Sequence, residues 1–200
     1  MWFMKNLKTT YNILICGVGG QGIILASKLL AESALSAGFD IKQSEVHGMS
    51  QRGGSVVSFI RFGKKIFSPI ISKQSADFIL SFEKMETLRY LDYANKDTKF
   101  LIADTELRPN SVNTGKYHYP ENITEILDKY EFKNYVINAA EIALKLGDIR
   151  AVNTVMFGVL SNFLPISENI ITDTLKNILP TKILELNLSA FAKGKNCLVA

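Results

Sequence analysis

Two short stretches hold residue types at spacings that could do chemistry. The first is Gly17-Val18-Gly19-Gly20-Gln21-Gly22, where Gly17, Gly19 and Gly22 have the spacing of a dinucleotide-type phosphate turn. A turn that opens onto a helix offers an anion unpaired backbone N–H groups and the positive end of the helix dipole, and glycine lets the chain approach closely. The second is His47-Gly48-Met49-Ser50-Gln51-Arg52-Gly53-Gly54, which packs an imidazole, an amide, a guanidinium and three glycines into eight residues. Arg52 is a planar fork matched to carboxylate or phosphate. Each stretch also has a plain reading: tight strand–helix packing for the first, a solvated surface turn for the second. Residue types alone leave both readings open.

The elements that must position these groups follow from hydrophobic period. The apolar run at 13–16 predicts a strand ending in the glycines, and 23–32 predicts a helix starting from them. Gly38 ends that helix, 40–46 is a second, more polar strand, and 55–62 alternates as a half-buried strand does. Gly63-Lys64 is a two-residue turn signal into 65–68, which predicts a β-hairpin there. Further strands are expected at 76–81, 99–104 and 135–138, and helices at 83–94, 122–130 and 139–146. In the second of these helices Asn122 is the N-cap, with Glu125 three residues on. From 151 onward the pattern is helical over 151–163, 167–179 and 181–194, punctuated by Pro165 and Pro180. Alternating strands and helices imply a Rossmann-like α/β fold: a mostly parallel sheet with a β-hairpin insertion and C-terminal helices, one domain over 1–200.

Bulk properties exclude some classes. A net charge of +4 with no basic stripe argues against nucleic-acid binding, and no segment approaches a membrane span. The only cysteines are Cys16 and Cys197, so no disulfide framework is indicated and a reduced, cytoplasmic location is the default. Two histidines and two cysteines make a metal site of ordinary ligand spacing improbable. His118, in Tyr117-His118-Tyr119-Pro120, is expected to be structural in a strand or edge segment, and Cys16 to point into the core. A nicotinamide role would want an acidic residue after the second strand to hold ribose hydroxyls; Glu45 is near that place, though the loop that follows is unusual for it.

Taken together, Gly17 to Gly22 and Ser44-Glu45-Val46-His47-Gly48-Met49-Ser50-Gln51-Arg52-Gly53-Gly54-Ser55-Val56 resemble the gamma-type subunits of 2-oxoacid:ferredoxin oxidoreductases. The likeness is sharp over 13–69, including Phe67-Ser68-Pro69, and the histidine-containing loop favours the indolepyruvate or arylpyruvate branch. The resemblance implies CoA-dependent oxidative decarboxylation of an arylpyruvate to acyl-CoA and carbon dioxide, with electrons passed to ferredoxin. It also implies a large alpha-type partner that carries thiamine diphosphate and iron–sulfur clusters. The chain has no cysteine cluster for such a centre and lacks the Gly-Asp-Gly pattern of magnesium–diphosphate binding, Gly147-Asp148-Ile149 being a partial echo. The chain is therefore expected to act as a subunit and not alone. On this resemblance the cofactor-binding candidates are Gly17, Gly19, Gly20, Gln21, Gly22, Glu45, Gln51 and Gly53, the anion being a coenzyme A phosphate met by Arg52. His47 and Arg52 are the catalytic candidates, capping the thiamine site with Gln51 across the subunit interface. The alternatives are a catalytically silent scaffold subunit of that complex and a stand-alone NAD(P)-binding oxidoreductase.

Overall fold

An unbroken run such as Ile13-Leu14-Ile15-Cys16 can leave neither of its faces in water, so it belongs in the middle of a covered sheet. In the computed structural model, which describes residues 8–48 and 53–198, β1 (Thr10–Val18) takes that place. Side chains alternate across a strand. Ile13 and Ile15 join one buried cluster with Leu29, Leu80 and Phe157, while Leu14 and Cys16 join the opposite one with Val57, Ile79 and Phe100.

After α1 (Ile23–Ser36) come β2 (Asp40–His47) and β3 (Ser55–Gly63), then β4 (Phe78–Ser81), α2 (Lys84–Arg89), β5 (Lys99–Ala103), α3 (Asn110–Asn113), α4 (Ile123–Lys129), β6 (Lys133–Ile137) and α5 (Ala139–Lys145). Three helices close the chain: α6 (Val152–Ser161), α7 (Glu168–Ile178) and α8 (Thr181–Asn196). The strand order is β2-β3-β1-β4-β5-β6. β1, β4, β5 and β6 are mutually parallel, and β3 runs antiparallel to both β1 and β2. β2 thus points the same way as β1. The C-terminal ends of five strands and the start of β3 meet at one edge, where an open α/β sheet places its ligands.

The α/β architecture and C-terminal helices agree with expectation, and four local features differ. The antiparallel hairpin is β2–β3, whereas 65–68 is not a strand. The chain leaves the sheet there because Asp40 Oδ2 accepts from the Ile66 N–H at 2.8 Å and Arg61 donates to the Ser68 and Ile70 carbonyls. The helix expected over 83–94 is α2 followed by a single 3-10 turn, Leu91–Tyr93. Asn122 stands at the N-cap of α4 without a side-chain cap bond, while Glu83 and Asn138 do cap α2 and α5. His118 is exposed in irregular chain; its neighbour Tyr119 is the buried residue of that segment.

α6 and α8 cross at glycine. A Cβ on Gly194 would overlap the Val155 carbonyl, and one on Gly158 would lie 2.9 Å from the Lys195 nitrogen. This close crossing holds α8 over α6 and sets the far wall of the cavity described next.

Candidate functional site

β1 ends in a turn that its own side chains close. Gln21 Oε1 accepts the Val18 N–H at 2.7 Å, and Gln21 Nε2 donates to the Phe82 carbonyl at 2.7 Å. The Gln21 N–H bonds to the Val18 carbonyl at 3.1 Å, and the Gly19 N–H to the Gly54 carbonyl at 2.8 Å. Gly17 is the last but one residue of β1; a Cβ there would sit 2.8 Å from Gln21 Oε1 and 2.9 Å from Phe82 Cβ. Gly17 and Gln21 therefore shape the turn through packing and internal bonds, and Gly19 has its donor occupied. The Gly19 and Gln21 N–H groups, expected at an anion, are engaged within the fold.

What remains for a ligand is the start of α1. Gly22 is its N-cap, left-handed at φ 81° and ψ 24°, and the first intrahelical bond runs from the Ala26 N–H to the Gly22 carbonyl. The amides of Ile23, Ile24 and Leu25 lack intrahelical acceptors by helix geometry, and the dipole adds positive potential there. The helix expected after the glycines is present, and its amides without intrahelical acceptors are those of its first turn.

The second motif lies at the same edge of the sheet. His47 and Gly17 are both register partners of Val56, one on each side of β3, so the two motifs stand about 10 Å apart across two strand spacings. The Gly48 N–H donates to the Ser55 carbonyl at 2.9 Å, closing the base of the loop, and the Gly19–Gly54 bond ties the loop to the turn. Gln51 and Arg52 lie outside the described residues. Gly53 is exposed at φ 76°. The His47 side chain is 47 % exposed with Nε2 3.5 Å from Glu45 Oε2. Glu45 Oε1 accepts from Ser27 Oγ of α1 at 3.1 Å and from Gln43 Nε2 at 2.7 Å.

Glu45 is thus bonded to α1 and separated from β1 by β3. A ribose-holding carboxylate needs its strand beside the glycine strand. The insertion of β3 removes that adjacency, which counts against the nicotinamide alternative.

In front of the turn is a cavity of about 470 Å³. Its walls include Leu25, Val152, Ile183 and Leu186, with Thr105 and Leu107 from the loop after β5. Its polar lining includes Gln21, Asn153 and Asn187 besides Thr105, and Asp148 with Arg150 also lines it. Arg150 Nη2 meets Asp148 Oδ2 at 2.6 Å, and that bond holds the Asp148 carboxyl below the usual carboxylate range.

Two buried carboxylates, Glu83 at the N-cap of α2 and Glu86 in its first turn, fasten the loops around this edge. Glu83 accepts from Tyr119 Oη at 2.5 Å, from the Leu107 N–H at 3.1 Å and from the Glu86 N–H at 2.9 Å. Burial and then this bond push the Tyr119 hydroxyl pKa well up, so the phenol stays a donor. Glu86 takes the Arg89 guanidinium at 3.1–3.2 Å and Ser55 Oγ at 2.5 Å. Ser55 is the first residue after the His47–Gly54 loop, so α2 sets the height at which that loop leaves the sheet. Cys16 lies below, fully buried, its thiol pushed up to about 12 by burial; it is a core residue, as expected.

Sequence reasoning passed over Asn153, Asn187, Glu83 and Glu86. For Asn153 a signal existed: a lone amide near the start of the helical run Ala151-Val152-Asn153-Thr154-Val155-Met156-Phe157, among apolar neighbours. Glu83 and Glu86 read as ordinary helix-start acids, and no local pattern marks them as buried.

A glycine turn opening α1, an antiparallel β3 between β2 and β1, and helices α6–α8 beside the cavity define a mixed α/β protein with its candidate site at the carboxyl edge of the sheet. A model of the pyruvate ferredoxin/flavodoxin oxidoreductase family matches residues 12–197, and the chain belongs to that family. It is 38% identical over 189 residues, 92% of this chain and 94% of the relative, to the indolepyruvate oxidoreductase subunit IorB of Thermococcus kodakarensis. It is 36% identical over 189 residues to the protein of the same name from Archaeoglobus fulgidus, again 92% and 94% of the two chains. Among solved structures, the keto/oxoacid ferredoxin oxidoreductase gamma subunit from Geobacter sulfurreducens superposes with a TM-score of 0.69 at 23% identity, covering 95% of this chain and 99% of that one. The 2-oxoglutarate:ferredoxin oxidoreductase from Magnetococcus marinus, with 2-oxoglutarate, coenzyme A and succinyl-CoA bound, gives 0.73 at 22% identity, over 94% of this chain and 31% of that one. These two likenesses speak for the fold. Among the described residues no helix is long and apolar enough to cross a membrane.

Proposed function

We propose that this chain is the small subunit of an indolepyruvate, or closely related arylpyruvate, oxidoreductase of the cytoplasm. The complex would decarboxylate the 2-oxo acid oxidatively with coenzyme A, giving the acyl-CoA and carbon dioxide and passing electrons to ferredoxin. The observation that carries this reading is the near-full-length identity of 38% to a protein named as an indolepyruvate oxidoreductase subunit.

The donor set supports a division of labour. Two cysteines, one of them buried in the core, do not fit a cluster needing several thiolates. Among the described residues no group of three or more His, Cys, Asp or Glu could hold a metal ion. In this reading thiamine diphosphate and iron–sulfur clusters are carried by a large partner subunit, and no step is assigned to them on this chain. Its own residues bind and orient. The first turn of α1, with Arg52 from the adjoining loop, receives a coenzyme A phosphate, and His47, Gln51 and Arg52 face the partner's thiamine site. Gly20, Gly22 and Gly53 leave the backbone open around this anion.

The test is co-purification with the large subunit, turnover of several arylpyruvates with ferredoxin, and titration of coenzyme A. Arg52→Ala should weaken coenzyme A binding; an unchanged affinity refutes the phosphate assignment. A scaffold-only reading draws on one observation, that the polar groups of Gln21 and the Gly19 N–H are engaged within the fold. Complexes with His47→Ala and Arg52→Ala that assemble and turn over at full rate would decide for the scaffold.

A further inference from the structure

Phe67-Ser68-Pro69, part of the sequence resemblance, takes no part in the site at the carboxyl edge. It lies at the other end of the sheet. Gly63, the last residue of β3, pairs with Thr10, the first of β1, so the segment that follows crosses the amino edge on its way to β4. β3 is nine residues long, which sets this segment about 26 Å from the His47–Gly54 loop.

Phe67 is 88% exposed, yet the chain around it is fixed. Ile66 and Ile71 are buried on either side of the exposed stretch. Arg61 Nη1 donates to the Ser68 carbonyl at 3.0 Å and to the Ile70 carbonyl at 3.2 Å, while its Nε donates to Asn12 Oδ1 at 2.9 Å. Pro69 fixes its own φ and restricts Ser68 to extended backbone. Folding back onto the protein would bury the apolar area of the ring, and these braces hold it in water instead. With Ile70, which is also exposed, Phe67 forms a preorganised apolar knob, the kind of anchor that dominates association.

The same edge holds an open recess of about 540 Å³. Its apolar walls are Leu91, Ala94, Tyr130 and Phe132, between the 3-10 turn and the end of α4. The Lys73–Asp92 ion pair, at 2.7 Å, stands at the rim and leaves no net charge there. Among the described residues, the only non-glycines with positive φ are Gln74 at 58° and Glu131 at 59°. Gln74 lines the recess, and Glu131 joins two of its walls, Tyr130 and Phe132. Such backbone is held against its own preference by its surroundings, as is common where a surface is shaped for contact. Exposed charges beside the two features are opposite: Lys64 precedes the knob and Glu131 follows Tyr130.

We propose that the occupant of this recess is Phe67 of a second copy of the chain, the two copies exchanging knobs about a two-fold axis. Knob and recess at one edge permit a closed, self-complementary exchange, whereas opposite ends would give an open fibre. Tyr130 is 62% exposed and an aromatic side chain carries roughly 200 Å², so Phe67 and Tyr130 of both copies would withdraw about 600 Å² from water. The recess floors add to this, against the roughly 1,600 Å² of a standard stable interface. The carboxyl edge stays free for the large subunit.

The test is sedimentation equilibrium of the full chain over a range of concentrations, for the wild type, Phe67→Ser and Tyr130→Glu. Both residues are exposed, so both variants should keep the fold, which circular dichroism checks. The wild type should form a dimer that grows with concentration. If each knob-in-recess contact is worth about tenfold in affinity, either variant alone loses both contacts of its dimer and weakens about a hundredfold. A mixture of the two keeps one intact contact, Phe67 of the Tyr130→Glu chain in the recess of the Phe67→Ser chain. It should therefore associate about tenfold more tightly than either variant alone. A wild type that is monomeric up to about 1 mM overturns the proposal. So does a Phe67→Ser chain that dimerises like the wild type, or a mixture no tighter than its components. A monomeric wild type whose Phe67→Ser variant no longer co-purifies with the large subunit would give the knob to that subunit and overturn the second copy. Turnover does not enter the measurement, so a complex inactive toward arylpyruvates would fault the proposed function and leave this surface standing.

Discussion

Replacing Gly22 with alanine separates backbone strain from steric overlap at the mouth of the cavity. Gly22 is held at φ 81°, where a Cβ costs roughly 1–2 kcal/mol. The added methyl would also lie 3.1 Å from Asn153 Cβ and Cγ and closer still to Nδ2. Asn153 must turn away, losing its 2.7 Å bond to the Thr154 N–H, a further loss of about 1 kcal/mol. Stiffening of the unfolded chain returns roughly 0.5 kcal/mol. Gly22→Ala should therefore lower stability by about 2 kcal/mol, read from guanidinium unfolding midpoints at constant m-value. Gly20 is the internal control: it too has a positive φ, 102°, but a Cβ there meets nothing within 4 Å, so Gly20→Ala should lose only about 1 kcal/mol. In an Asn153→Ala background the Nδ2 and Cγ overlaps disappear and only the 3.1 Å contact with the residue-153 Cβ remains, so Gly22→Ala should lose about 1 kcal/mol less than in the wild type. Equal losses for Gly20→Ala and Gly22→Ala, or the same Gly22→Ala loss in both backgrounds, would refute the claim that Asn153 is pressed against the turn.

Native protein treated with a thiol reagent should modify only Cys197, which is half-buried, with Cys16 reacting after unfolding. The folded Cys16 thiol keeps its proton up to about 12, while the unfolded one releases it near 9.0, so stability should fall as pH rises through that window. The slope attributable to this one group is at most about 1.4 kcal/mol per pH unit, and stability curves of wild type and Cys16→Ala should differ by it. Gly194→Ala should cost about 3 kcal/mol or more in thermal unfolding, because its Cβ would overlap the Val155 backbone and neither α6 nor α8 has a flexible atom to move there. Arg89→Met leaves the Glu86 carboxylate buried without its cation; with the Arg89 side chain 52% exposed, a loss of roughly 1–3 kcal/mol is expected by the same measurement.

The sequence reached far into the fold. Unbroken apolar runs have to be central strands, and 3.6-residue periods broken by Gly and Pro have to be helices, so β4, β5 and the C-terminal helices were legible within a residue or two, and β1 except for its first three residues. The hairpin was misplaced because a Gly-Lys pair resembles a tight turn whichever strand follows, and the antiparallel partner of β3 was chosen by two long-range contacts, β1 and β2. For the site, the glycine turn and the His47–Gly54 loop were marked by composition, and their residue order also carried the family.

Which polar groups are engaged within the fold and which are left free was decided by the tertiary structure. Gly17, Gly19 and Gln21 look like cradle residues in sequence, yet the Gln21 side chain fills the space beside Gly17, and the Gly54 and Val18 carbonyls take the Gly19 and Gln21 donors. Asn153 drew no attention in sequence, yet packing α6 against the turn buried it beside Gly22. Hydrophobic period is local, so the chain order alone sets strands and helices. Whether a polar atom is satisfied depends on what folding brings within 3 Å of it, and no spacing in the sequence carries that information.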